Sequence, residues 1–192
     1  MISILFIRIL FFCLIPIGIF ILYRGIKILR CAFNGELLLE LPYLKQVGEF
    51  TILKSGTYAV WQKGEAFKKT PLSKFGTHIY EKSNQQEIKL SHSFLSPHSN
   101  DFSNGRMEIY TFYATAGVYE LKLTEGSSAS GIQSVIAKLI PLPNADLSKY
   151  FIQIRESQSQ WLTLLGIPIT ILGGCGVIGG FALGILADQI FK

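Results

Sequence analysis

Two almost unbroken apolar stretches, one towards each end of the sequence, fix most of what this chain can become. Residues Ile2 to Leu22 are nearly all Ile, Leu and Phe, and Trp161 to Ala187 are nearly all Leu, Ile, Val and Gly. Each exceeds the roughly 20 residues that a helix needs to cross a hydrocarbon core about 30 Å thick. A helix in a soluble core is normally shorter and shows a polar face. The chain is therefore expected to be a membrane protein with two transmembrane helices. One covers residues 1–30, including a basic juxtamembrane extension, and the other covers 161–188.

The first stretch does not read as a cleaved signal. Its apolar run is longer than the roughly 7 to 15 residues of a signal core, and no small-x-small site follows it. Cys13 follows Phe12 and Cys31 follows Arg30, so neither has the small preceding residue of a lipoprotein site. Pro16 and Gly18 are expected to kink this helix. Arg8, inside the segment, reads as a side chain that snorkels to the interface. On that side the only carboxylate side chain in the sequence is Asp188.

Charge location matters more than the formal net charge of +5. From Glu36 to Arg155 there are thirteen Lys or Arg against eleven Asp or Glu. The excess is concentrated at Arg24, Lys27 and Arg30, beside the first helix, which points to lipid headgroups as the basic partner and away from nucleic acid. The three cysteines, Cys13, Cys31 and Cys175, lie in or beside the apolar segments, so no disulfide framework is expected.

In the second stretch Gly176, Gly180 and Gly184 recur every four residues, which lines small residues along one helical face where another helix can approach closely. That helix is either the first one of the same chain or a second copy, giving a possible homodimer. Trp161, preceded by Tyr150 and Phe151, reads as an interfacial belt residue.

Between the helices, residues 31–142 change character. Short runs rich in Val, Ile, Tyr, Phe and Thr alternate with Gly, Asn, Ser and Pro, the pattern of an all-β, antiparallel domain. Strands are expected over 37–41, 48–53, 57–62, 78–81, 87–93, 106–114, 118–124 and 134–140, in a β-sandwich of jelly-roll or immunoglobulin-like type. Asn104-Gly105 suits a tight hairpin turn. Residues 143–160 read as a linker or amphipathic helix.

An internal echo stands out. Ser55-Gly56-Thr57-Tyr58-Ala59-Val60 matches Ala116-Gly117-Val118-Tyr119-Glu120-Leu121, each after an aromatic-bearing strand, and each copy reads as a hairpin. Phe50-Thr51-Ile52 with Ser55-Gly56-Thr57-Tyr58, and the second copy from Phe112 to Leu123, resemble the strand, Ala-Gly-x-Tyr, strand pattern of bacterial pre-peptidase C-terminal-type β-sandwich modules. The resemblance covers about half of the domain and implies a noncatalytic, extracytoplasmic sandwich. Those modules are usually appended to secreted enzymes, whereas here the sandwich lies between two apolar segments.

No catalytic set is expected. The three histidines are His78, His92 and His98; His92, His98 and Asp101 fall in one polar stretch, but their spacing matches no zinc pattern. The sequence has no Gly-x-Ser-x-Gly elbow and no phosphate-cradling loop. No metal, cofactor or enzymatic activity is expected.

The expected function is a membrane-anchored binding module for a protein partner, contacted through the 96–104 loop with His98, Asp101 and Phe102. One version is an immunity protein against an envelope-acting toxin. The alternatives are an accessory subunit of a membrane complex and a lipid or small-ligand carrier. Positive charge near the membrane favours a cytoplasmic β domain. The resemblance favours the periplasmic face of a bacterial inner membrane, and the balance falls slightly to that side.

Overall fold

The computed structural model describes residues 4–65, 75–101, 104–125 and 146–190. These form two compact units: a helical unit of Met1–Asn34 with Ser159–Lys192, and a β unit of Gly35–Gln158.

The helical unit is an antiparallel pair, α1 (Ile4–Cys31) and α2 (Gln160–Ile190). Both are long and apolar enough to cross a membrane. α1 runs unbroken through Pro16, and α2 through Pro168. The buried positions are mostly small: Gly18 and Gly25 on α1, and Thr163, Gly166, Gly173, Gly180, Gly184 and Ala187 on α2. Large side chains such as Leu5, Phe6, Phe20, Leu172, Ile178 and Phe181 face outward. A Cβ on Gly18 would come within 2.7 Å of the Val177 nitrogen, and one on Gly180 within 2.8 Å of the Phe11 carbonyl oxygen. Glycine is what permits these backbones to approach so closely.

The β unit holds nine strands among the described residues: β1 (Leu37–Pro42), β2 (Val47–Ile52), β3 (Gly56–Glu65), β4 (Phe75–Glu81), β5 (Ser91–His92), β6 (His98–Asp101), β7 (Asn104–Ala114), β8 (Gly117–Glu125) and β9 (Phe151–Glu156). One antiparallel sheet has the order β1-β9-β3-β7-β5, with β6 also on β7; the other has the order β2-β8-β4. Alternation buries one side of each strand: Gly48, Phe50 and Ile52 of β2 are buried while Val47, Glu49 and Thr51 are exposed. Both sheets feed one core that includes Leu41, Phe50, Val60, Ile79, Phe112, Leu121, Ile152 and Ile154.

The two echo segments are corners between sheets, which corrects the hairpin reading. β2 and β3 belong to different sheets, as do β7 and β8, while β2 pairs with β8 and β3 pairs with β7. Two equivalent corners therefore lie side by side at one end of the unit. At each, a tyrosine hydroxyl donates to a carbonyl four residues upstream, Tyr58 to Lys54 at 2.6 Å and Tyr119 to Thr115 at 3.0 Å. This is the corner device of Greek-key sandwiches. Each ring packs on the phenylalanine of the other copy, Tyr58 on Phe112 at 5.9 Å and Tyr119 on Phe50 at 5.7 Å between centroids.

Other expectations change too. Phe151–Glu156, read as linker, is strand β9 between β1 and β3, because Ile152 and Ile154 enter the core while Gln153 and Arg155 hydrogen-bond on the other face. Asn104 and Gly105 are the first residues of β7, paired with Glu65 and Gly64, so they belong to a strand and not to the expected turn. His98–Asp101, expected in a loop, is strand β6. Within 87–93 only Ser91–His92 is a strand, with an isolated bridge between Tyr80 and Glu87. The strand expected over 134–140 lies outside the described residues.

Candidate functional site

Polar chemistry concentrates on the face of the larger sheet turned away from the shared core. Register places Glu40, Gln153, Trp61 and Glu108 in one row across β1, β9, β3 and β7. An irregularity on β7 opposite Val60 and Trp61 lets Glu108 point to this face while Tyr110, two residues on, points into the core. Trp61, Gln153 and Glu108 are all buried there.

Glu40 and Gln153 are tied to each other and to neighbouring cations by hydrogen bonds. Lys63 Nζ lies 3.2 Å from Glu40 Oε1, and Gln153 Nε2 donates to Glu40 Oε2. Arg155 Nε donates to Gln153 Oε1 at 2.8 Å, and its terminal nitrogen to the Gly35 carbonyl at 3.0 Å. Burial, then the nearby Arg106, pulls the Arg155 guanidinium below its ordinary value, and Glu40 opposes the shift. Glu108 accepts from Ser93 Oγ at 2.7 Å and Ser157 Oγ at 3.4 Å, and Arg106 lies 5.6 Å over the Trp61 ring. Glu108 thereby ties Ser93, which follows β5, and Ser157, which follows β9, to β7.

The histidines sit on three strands. His78 Nδ1 is 2.6 Å from Glu87, the His92 ring lies tilted against Tyr110 with centroids 4.8 Å apart, and His98 pairs with Met107 in the sheet. Among the described residues no group of three His, Cys, Asp or Glu could hold a metal ion. Of the expected partner loop, His98 and Asp101 are the first and last residues of β6, and Phe102 lies outside the described residues.

In the helical unit, Gly176, Gly180 and Gly184 all face α1, against Gly18, Phe11 and the Phe12 ring respectively. Arg24, Lys27 and Arg30 are exposed near the C-terminal end of α1, where cations complement the helix dipole, and Arg24 lies 5.1 Å over the Phe20 ring. Trp161 is exposed in the first turn of α2. Arg8, expected to snorkel alone, forms an ion pair with Asp188, which joins the start of α1 to the end of α2.

Sequence reasoning did not single out Glu40, Trp61, Glu108 or Gln153. The one local signal was the alternation Ile152-Gln153-Ile154-Arg155, which marks a strand with one polar face. No protein-family model matches the chain, and no curated protein matches it.

Proposed function

We propose that this chain is a membrane-anchored, noncatalytic binding module, in which two transmembrane helices hold an immunoglobulin-like or jelly-roll sandwich that recognises a protein partner. One observation carries the reading. The strands that bring the chain into and out of the β unit pair with each other, Leu37 opposite Arg155, so both chain ends leave from one end of the unit. The β6–β7 reversal, with Asp101 paired to Asn104, lies at the opposite end, as Glu65 beside Asn104 and Gly56 beside Ala114 show. A domain tied down at one end presents the other to a partner. The helical unit supports the anchor, because many of its large apolar side chains face out while Gly18, Gly25, Gly166, Gly173, Gly180 and Gly184 are buried between the helices.

The specific version is an immunity protein at a bacterial inner membrane, with the β domain in the periplasm. Deleting the gene should sensitise cells to the toxin encoded beside it, and equal survival with and without the chain overturns that version. A reporter active only in the periplasm, fused after Asn100, should be active; a stable but inactive fusion places the domain in the cytoplasm.

A small-ligand carrier is the second reading, favoured by one feature. Both amide atoms of Gln62 and the Tyr150 hydroxyl are buried on the core side with no partner among the described residues. Native mass spectrometry of protein taken from membranes should then show a bound small molecule, and a mass equal to the bare chain removes this reading.

A further inference from the structure

The end of the β unit from which both chain ends depart is apolar in a way its fold does not require. Leu53 is 81% exposed, Tyr113 65%, Val118 45% and Leu37 42%. Leu53 follows β2, Tyr113 and Val118 flank the second corner, and Leu37 opens β1, so all four surround the paired corners. Lys54 is exposed among them. Exposure by itself assigns nothing, since single apolar residues are common on surfaces and Leu44 and Val47 are exposed at the opposite end.

Covalent continuity separates the two ends. Three residues join Glu156 to Gln160, the start of α2, and five join Cys31, the end of α1, to Leu37. Four peptide steps span at most about 14 Å. Such short tethers keep the corner end near whatever surrounds the helices, and no such tether leaves the opposite end.

We propose that the corner end of the β unit docks on the headgroup–acyl boundary of the bilayer through Leu53, Tyr113 and Val118. This rests on the membrane-anchored reading. Leu53 and Val118 enter the upper acyl layer, the Tyr113 ring takes the amphipathic position that Tyr favours at such a boundary, and the Lys54 ammonium meets lipid phosphate. The sandwich would then be held by its own surface as well as by its tethers, which fixes the direction in which the opposite end faces.

The test uses the full chain with Cys13, Cys31 and Cys175 changed to Ser, reconstituted into phosphatidylcholine vesicles containing phosphatidylglycerol. Leu53→Cys or Leu44→Cys carries an environment-sensitive fluorophore, and the vesicles carry a lipid quencher high in the acyl chain. Docking predicts blue-shifted emission at position 53 and quenching severalfold stronger than at position 44. Tyr113→Ser with Val118→Asp should reduce the quenching at 53 towards the level at 44. Equal quenching at both positions, or quenching at 53 that ignores the double variant, overturns the proposal. Flotation separates the two levels of failure. A chain that does not float with the vesicles refutes the anchor itself, whereas one that floats with a water-exposed probe at 53 refutes the docking alone.

Discussion

In the helical unit the buried helix positions are small residues, mostly glycines, and many large apolar side chains point outward; in the β unit Trp61, Tyr119, Ile152 and Ile154 are buried. The contrast is the one expected if, as proposed above, lipid surrounds the helical unit and water the β unit. In water a fold is held by removing large apolar side chains from solvent. Where the surroundings are as apolar as leucine, that gain disappears, and helices hold together through close backbone packing and polar contacts. The largest test of this difference sits at adjacent residues of α2. A Cβ on Gly173 would collide with the backbone of Leu22, whereas one on Gly174 meets nothing within 4 Å. Gly173→Leu should therefore part the helices at a cost above the ~1–3 kcal/mol usual for overpacking, because backbone cannot step aside. Gly174→Leu should keep the wild-type midpoint when the protein is moved from mild detergent into a denaturing one. Equal midpoints for the two variants would remove the glycine interface.

The same comparison can be read through side-chain truncation. Ile154 is fully buried in the core of the β unit, while Leu172 on α2 is 63% exposed. Ile154→Ala should destabilise the β unit by about 2–5 kcal/mol. On the membrane-anchored reading Leu172→Ala should barely move the helical unit in lipid, since leucine and alanine would both meet acyl chains there. A large loss for Leu172→Ala would mean that protein, and not lipid, covers that face.

How much of this was legible in the sequence follows the same division. The helices were visible because the length and continuity of the apolar runs are read directly from the sequence. Most strands were visible from alternation. β9 was missed because Pro143 and Asp146 upstream suggested a linker and the strand is only six residues long. The corners were mistaken for hairpins because Gly-x-Tyr sets a local turn, and nothing local says which sheet receives the next strand. The polar row on the larger sheet was invisible for a related reason. Gln153 and Glu40 are 113 residues apart, and only register and the β7 irregularity turn them and Glu108 to one face.

The Arg8–Asp188 pair, 180 residues apart, tests the polar half of the helical interface. Asp188→Asn or Arg8→Gln should each lower the midpoint, with a loss of stability of about 1–2 kcal/mol, between the values for exposed and buried pairs. Exchanging the two, Arg8→Asp with Asp188→Arg, should recover most of the loss. Failure of the exchange to recover anything would show that each charge acts separately with its surroundings.

The smallest effect belongs to the β unit, and there pH replaces lipid as the probe. Removing the corner hydroxyl with Tyr58→Phe should cost about 1 kcal/mol at neutral pH, the usual net value of one hydrogen bond. Tyr58 also responds to alkali. Burial, followed by Glu156, Tyr119 and Glu36, raises its hydroxyl above the ordinary value of 10. Burial raises Tyr43 and Tyr150 as well. The folded state then keeps protons that the unfolded chain releases, so this stability is complete below pH 10 and falls as pH rises beyond it. The thermal midpoint of the β unit should hold up to about pH 9 and decline above pH 10. Tyr58→Phe removes one of the groups responsible, so the variant should start lower at neutral pH yet decline less steeply in alkali. A parallel decline in variant and wild type would show that Tyr58 contributes its hydrogen bond but not its proton. The helical unit, followed by its denaturing-detergent midpoint, serves as the internal reference, because it has no share in these tyrosines.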